Sequence, residues 1–324
     1  MVRLLLIVHY NERRMPEERA ELFMRASETM IQLDYLPDVE VQQLLKACVG
    51  KSWSDHYEML QNLAFSMHRQ GEAQGRELDE SGLRDTFRDT GYVSAVDALI
   101  NYTRTRGGLL EERLGMYRFI HLGFQEYLAA RYLIKVVGGE GGVEAVVSFL
   151  EQGPILDSWW REPAMLIPGY CVADSNSSMA RKYLRRLAGI EQASTLLPDA
   201  QLACAEVAAT AALELRGLDD SLRTELADQL AALCRRQDLM TVAQPIRRAA
   251  AGVALARLGD PRPEVLSVDA MRLCFVPAGP FFMGSADGDG DAFKPHDPRF
   301  DIAYGYAISQ YAVTNAQFQQ IHER

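Results

Sequence analysis

This 324-residue chain lacks the short sequence motifs that commonly mark nucleotide-binding, metal-binding or redox sites. No GxxxxGK[ST] loop occurs, so the glycine-rich turn and lysine that hold nucleotide phosphates in P-loop ATPases are absent. No CxxC pair occurs either, and the cysteines are isolated at Cys48, Cys171, Cys204, Cys234 and Cys274. Isolated cysteines in apolar helices are typical of small core residues in a reducing cytoplasm. We therefore expect no catalytic residue, no metal site and a cytoplasmic location.

Excess positive charge and long apolar runs are lacking too. The chain has 34 Lys and Arg against 44 Asp and Glu, a formal net charge of −10. Binding to a phosphate backbone needs concentrated Lys and Arg, so a nucleic acid is not an expected partner. The apolar run in Met1–Tyr10 is far shorter than the roughly 20 residues of a membrane span. The sequence thus predicts no contact with a membrane.

Helical spacing of apolar residues dominates the first 140 positions. Leu60, Leu63, Ala64 and Met67 share one helix face, and Leu83 with Phe87 marks a shorter helix. Val96, Leu99 and Ile100 mark another helix. The β-forming residues at 109–110 and 117–120 then predict two short strands across a turn near Gly115. Helix, helix and strand pair is the order of a winged-helix domain. The next helix carries Phe124, Tyr127 and Leu128 on one side, which we interpret as core.

Two later segments resemble each other. AALELRGLDD around Leu213 and GVALARLGDP around Leu255 place their leucines 42 residues apart. This period is typical of paired-helix repeats of the HEAT type. The second segment offers a narrow apolar face on which a neighbouring helix could stack, made of Ile246, Ala249, Ala250, Val253 and Ala254.

Beyond Pro263 the composition changes from alanine-rich helix to aromatic residues, glycine and β-formers. The segment predicts strands at 271–285 and 301–314, then a helix from Thr314. The acidic loop Asp287–Asp291 could hold Ca²⁺, but Ala292 stands where an EF-hand has glycine, so a solvated loop is favoured. The predicted fold is mainly α: a winged helix, a HEAT-like α-solenoid and a C-terminal α+β segment. The predicted domains are 1–75 (helical), 76–137 (winged helix), 143–263 (repeats) and 264–324 (α+β).

Three stretches resemble known families. Residues 3–31 and 98–133, including FIHLGFQEYLAA, resemble the helical and winged-helix modules that follow the nucleotide-binding core of NACHT-family (STAND) NTPases. SWWREPAMLIPGY at 158–170 resembles the helix after them. VPAGPFFMGS at 276–285 and VTNAQF at 313–318 resemble the opening of the formylglycine-generating-enzyme, or sulfatase-modifying-factor, family. The last family places a catalytic cysteine pair late in its domain, and Cys274 does not match it.

The resemblance implies a piece of a longer bacterial signalling, or defence, protein that begins after an NTPase core and ends inside its last domain. The piece would relay nucleotide state and act as a scaffold without catalysis. ATP or ADP with Mg²⁺ would bind the NTPase core, and a metal ion would bind a complete formylglycine-type domain. The expected partners are that upstream core and a protein ligand on the repeats. Two alternatives stay open for the last domain: a metal-dependent oxidase, or a C-type-lectin-like binding module.

His121 is the residue to which the resemblance assigns a role. In NACHT relatives a winged-helix histidine at this motif position contacts the phosphate of bound ADP and holds the inactive state. An imidazole can donate a hydrogen bond to phosphate, which makes the role chemically sensible. The alternative is a structural histidine at a strand end whose ring is satisfied by the backbone.

Overall fold

The computed structural model describes residues 16, 18–34, 53–88, 90–105, 108–139, 141–190, 196–283 and 297–322. The predictions made for Met1–Tyr10, Cys48 and Asp287–Asp291 lie outside these residues. The chain divides into two compact units, Met1–Gly259 and Asp260–Arg324. The division falls four residues before 264, where the sequence placed the last domain. No helix in the described parts is long and apolar enough to cross a membrane.

A winged-helix arrangement forms the first part of the larger unit. Its elements are α1 (Arg19–Asp34), α2 (Trp53–Arg69), β1 (Leu78–Asp79), α3 (Glu80–Phe87), a 3-10 turn (Val93–Ala95), α4 (Val96–Thr105), β2 (Leu110–Arg113) and β3 (Met116–Phe119). The strands pair antiparallel in the order β1-β3-β2, with Leu110 opposite Phe119 and Leu78 opposite Tyr117. The predicted strand pair is therefore present. β1 was not predicted, because two residues are too short for an alternating pattern.

The winged-helix elements begin earlier than residue 76, the predicted start of that module. Helix α2 packs on α3 and on α5 (Leu122–Tyr132), so it belongs to the same core as the strands. Phe124, Tyr127 and Leu128 of α5 are fully buried, as predicted. Helix α5 also contacts α1 and continues into a π-helical turn, Leu133–Val137.

Further helices complete the larger unit. They are α6 (Gly142–Glu151), a 3-10 turn (Pro154–Leu156), α7 (Ser158–Ala173), α8 (Ser177–Leu187), α9 (Pro198–Leu213), α10 (Asp220–Arg235), α11 (Gln237–Met240) and α12 (Pro245–Leu258). Helix α9 contacts α7, α8, α10 and α12, and its small alanine side chains let it be buried on nearly every side. The Arg161 guanidinium on α7 donates to Glu206 on α9 at 2.7 Å.

Helix α12 corrects one prediction from the sequence. Ala251, Ala254, Leu255 and Leu258 form its buried face, whereas Ile246 and Val253 are 70% and 61% exposed. The predicted stacking face thus points largely to solvent in this chain. The physical reason is that α12 has two apolar faces. Helical periodicity alone does not show that the face with the larger leucines is the one that packs in the core.

The described residues of the smaller unit form two separate two-stranded sheets. Its elements are α13 (Pro263–Leu266), β4 (Leu273–Val276), β5 (Gly279–Met283), β6 (Asp297–Ile302), β7 (Tyr306–Ser309) and α14 (Asn315–His322). Strand β4 pairs with β7, and β5 pairs with β6. Buried Gln317 of α14 donates to the Glu264 carbonyl at 3.0 Å, and Thr314 Oγ1 donates to the Val265 carbonyl at 2.7 Å. These side chains hold α13 against α14.

Candidate functional site at the start of helix α5

His121 lies at the point where the strand hairpin passes into α5. It has extended backbone angles and is the N-cap of the helix. The Gly123 backbone N–H donates to His121 Nδ1 at 3.0 Å, and the Phe124 N–H donates to the His121 carbonyl at 3.0 Å. The ring thus satisfies one of the donors that a helix N-terminus leaves free. His121 therefore has a structural role at the end of the hairpin, where a backbone N–H satisfies one of its ring nitrogens.

This cap also determines which ring nitrogen carries the proton. Nδ1 accepts a hydrogen bond, so it is unprotonated, and the proton of the neutral ring is on Nε2. The side chain is exposed. His121 therefore offers an N–H donor outward from the positive end of a helix, where anions are favoured.

Packing against α1 holds the cap in place. The rings of Phe23 and His121 are 6.3 Å apart, and Phe23 also contacts Phe124 edge-on at 5.6 Å. A Cβ on Gly123 would lie 2.3 Å from Phe23 Cζ and 3.1 Å from His121 Nδ1. Glycine at 123 is therefore what allows α1 to approach the start of α5.

Glu126 lies one turn into α5 and is partly buried there. Two arginines near it in sequence are engaged elsewhere, since Arg118 pairs with Glu111 at 2.7 Å and Arg131 donates to Gln61. Desolvation by burial, followed by repulsion from Glu162, raises the pKa of Glu126 to about 7, against the opposing effect of Arg19 and Arg76. Spacing along α5 could not reveal this, because the burial of Glu126 and its repulsion by Glu162 of α7 depend on how distant helices pack.

Ion pairs join side chains of α3 and α4 in the winged helix. Arg104 donates to Glu80 at 2.6 Å, and Arg84 contacts both Glu80 at 2.8 Å and Asp97 at 2.7 Å. These carboxylates neutralise the cations that DNA phosphates would need.

A reciprocal contact joins the winged helix to the helices that follow. Trp159 Nε1 on α7 donates to the His68 carbonyl at 2.9 Å, and the His68 ring Nε2 lies 2.8 Å from the Trp159 carbonyl. The two rings stack with centroids 4.4 Å apart. Trp160 packs edge-on against Phe65 and Phe149. The tryptophan pair is thus a packing anchor between α2 and α7.

Among the described residues no group of three or more His, Cys, Asp or Glu side chains is placed to hold a metal ion. Cys171 and Cys204 are buried core residues, and burial raises the pKa of both thiols to about 12. Cys274 is exposed on β4.

The element order, the antiparallel sheet and the capped helix after it define a winged-helix domain. Residues 19–133 match a family model described as the winged helix-turn-helix domain C-terminal to NACHT. The chain therefore carries a NACHT-associated winged-helix domain. Neither the curated proteins nor the solved structures gave a match to the chain. The matched range begins at α1, which agrees with the packing of α1 on α5.

Proposed function

We propose that this chain is the nucleotide-state relay of a NACHT-type (STAND) signalling protein. An upstream NTPase core would be its partner, and His121 would donate an Nε2–H hydrogen bond to the phosphate of ADP held by that core. The single observation that supports this best is the cap at α5: within the matched domain it fixes the Nε2–H tautomer and leaves that donor exposed. The mechanism would be a two-state switch in which ADP binds one state better.

The test separates the cap from the proposed phosphate contact. Asparagine is a good N-cap, so His121→Asn keeps the hydrogen bond to the Gly123 N–H but loses the longer reach of the imidazole. In the protein in which an NTPase core precedes this chain, we expect His121→Asn to release ADP about tenfold faster. Its unfolding midpoint should equal that of the wild type.

A stopped-flow measurement with fluorescent ADP gives the release rate. The matched control is Asn176→Asp, which exchanges one good N-cap for another at α8, away from the winged helix. Unchanged ADP release in His121→Asn would leave His121 with a capping role only.

We further propose that helices α6–α12 form a HEAT-like scaffold with a protein ligand as its partner. The 42-residue spacing of Leu213 and Leu255 supports this, as does the sandwich of α9 between α7 and α12. Gly217 and Gly259, also 42 residues apart, both have positive φ just after these helices. The repeats would pass the state of the winged helix along the stack through the α2–α7 contact.

For the smaller unit we propose a sensor or effector role as part of a formylglycine-generating-enzyme-like domain. Sequence resemblance at 276–285 and 313–318 supports it, and none of the comparisons does. A metal-dependent oxidase and a C-type-lectin-like binding module remain the two versions of this proposal. A cysteine pair encoded in frame downstream would favour the oxidase. Aromatic-rich loops without such a pair would favour ligand binding.

A further inference from the structure

Helix α12 carries a second apolar face that points to solvent. Ile246, Ala249, Val253 and Ala256 are all exposed, and they follow one another at spacings of three, four and three residues. This is the a/d spacing with which one helix packs along another in a coiled-coil manner. Ile246 and Val253 expose 70% and 61% of their surface, which is a large apolar exposure for one short helix.

The corresponding face of α9 is covered. At the 42-residue spacing that aligns Leu213 with Leu255, Ile246 and Val253 correspond to Cys204 and Ala211. Those two residues are 2% and 1% exposed. Glu206 of α9 contacts α7 through Arg161, and Cys204 and Ala211 lie on the opposite side of the helix at about 100° per residue. By this alignment, the exposed face of α12 corresponds to a face of α9 that is covered by neighbouring helices.

The order of large and small residues on this face is self-complementary for an antiparallel pair. If α12 lies against a second α12 with the twofold axis near Ala251, Ile246 meets Ala256 of the second copy and Ala249 meets its Val253. Each β-branched side chain then fits against an alanine, which is how facing helix positions interdigitate. A parallel pair would instead place Ile246 against Ile246 and alanine against alanine.

Charge on the helix favours the same orientation. Helix α12 has no acidic residue, and Arg257 flanks the exposed face. In a parallel pair the two Arg257 side chains would be adjacent and would repel each other. In the antiparallel pair Arg257 lies beside Pro245 of the second copy, so the two guanidinium groups are about 18 Å apart along the axis at 1.5 Å per residue. The helix dipoles are then also opposed, which is favourable.

From this geometry we propose that α12 is a homodimerisation face, on which a second copy of this chain docks its own α12 in antiparallel orientation. One pair of 14-residue helices makes an interface at the small end of specific complexes. The dimer is accordingly weak, and its population depends on protein concentration.

Sedimentation velocity of the full chain over a range of concentrations tests the dimer. We expect concentration-dependent dimerisation in the wild type and a monomer for Val253→Glu, which buries a charge only in the dimer. The matched control is Val93→Glu, since Val93 is similarly exposed, at 57%, but belongs to the winged helix. Circular dichroism establishes that both variants are folded. A wild type that stays monomeric, or a dimer that Val253→Glu leaves intact, overturns the proposal.

Disulfide cross-linking tests the orientation. In a Cys274→Ser background, Ala249→Cys and Val253→Cys variants are mixed and oxidised, and the linked peptides are identified by mass spectrometry. The antiparallel pair predicts that Cys at 249 links to Cys at 253 of the other variant. Links of 249 to 249 and 253 to 253 indicate a parallel pair and contradict the proposal. Equal yields of every combination indicate random collision and also contradict it.

Discussion

At the scale of single residues, the tip of the β2–β3 hairpin combines two unfavourable features. Leu114 and Gly115 form a two-residue loop with φ angles of 55° and 84°, as in the turns that favour Asn-Gly. Leucine rarely adopts positive φ, because its Cβ then lies close to the following carbonyl oxygen. Leu114 is also 95% exposed, so packing does not compensate for the strain.

Replacing Leu114 by asparagine should therefore stabilise the protein. Asparagine tolerates this conformation, so we expect Leu114→Asn to raise the free energy of unfolding by about 1 kcal/mol. Urea unfolding followed by circular dichroism measures the change. Leu114→Val is the opposing variant, since a β-branched residue fits positive φ still less well and should lower stability. The same sign for both variants would contradict the argument.

Two buried histidines make stability depend on pH. Burial lowers the pKa of His56 and of His68 to about 4, below the 6.5 of an unfolded histidine. Between these values the unfolded chain binds more protons than the folded one, so the free energy of unfolding falls as the pH falls from 6.5 to 4. The loss is up to about 3 kcal/mol per histidine. The raised pKa of Glu126 acts in the opposite direction below pH 7, but it is a single, partly exposed group.

The variant that isolates this effect is His68→Gln. Its side-chain amide can donate to the Trp159 carbonyl but does not titrate. Urea unfolding at about pH 7 and about pH 5 should show a loss in the wild type that shrinks by about 2 kcal/mol in His68→Gln. An identical loss in both proteins would show that His68 does not titrate on unfolding.

At the scale of elements, the contact between α2 and α7 couples the winged helix to the helices that follow. Trp159→Phe keeps most of the stacked ring area but removes the indole N–H that satisfies the buried His68 carbonyl. Leaving such a group unsatisfied costs about 1–3 kcal/mol. Chemical unfolding of Trp159→Phe should therefore show that loss of stability.

The neighbouring tryptophan provides the comparison. Trp160 packs on Phe65 and Phe149, so Trp160→Phe is expected to lose ring area alone and to cost less than Trp159→Phe. If the two variants are destabilised equally, the reciprocal hydrogen bonds of Trp159 and His68 contribute nothing beyond packing.

At the scale of the whole molecule, the two units differ in how much apolar surface they bury. The larger unit has a continuous core, whereas the described part of 260–324 leaves large side chains exposed on strands and helix alike. They include Leu273, Phe275, Tyr304, Tyr306, Ile308, Tyr311, Val313, Phe318 and Ile321. Isolated two-stranded sheets are marginally stable, and an exposed edge strand favours aggregation.

Limited proteolysis should reveal this difference. With trypsin we expect early cleavage after Arg272, whose side chain is 59% exposed, and a longer-lived fragment that ends there. Mass spectrometry of the time course identifies the fragments. Cleavage inside α5–α10 before any cleavage beyond residue 260 would be the contrary result.

Prediction from sequence succeeded where the signal is local. The α5 core positions and the hairpin around Gly115 follow from periodicity and turn chemistry, and the matched family domain contains both. It failed for α12, where the spacing of apolar residues does not show which of two apolar faces is buried, and it gave no sign that Glu126 is desolvated. Strand β1 has only two residues, too few to show the alternation of apolar and polar residues that predicts a strand.

The sequence by itself determined a mainly helical chain with a NACHT-type winged helix, because helix periodicity and turn residues act within a few positions of one another. The tertiary structure alone decided that His121 caps α5 with its proton on Nε2, that His68 and Trp159 bind each other across 91 residues, and that Ile246 and Val253 face solvent. The His121 cap is a local bond to Gly123, but the contact of His68 with Trp159 and the exposure of Ile246 and Val253 depend on segments far apart in the chain. Burial and hydrogen bonding between distant segments cannot be read from the spacing of residues that are close in sequence.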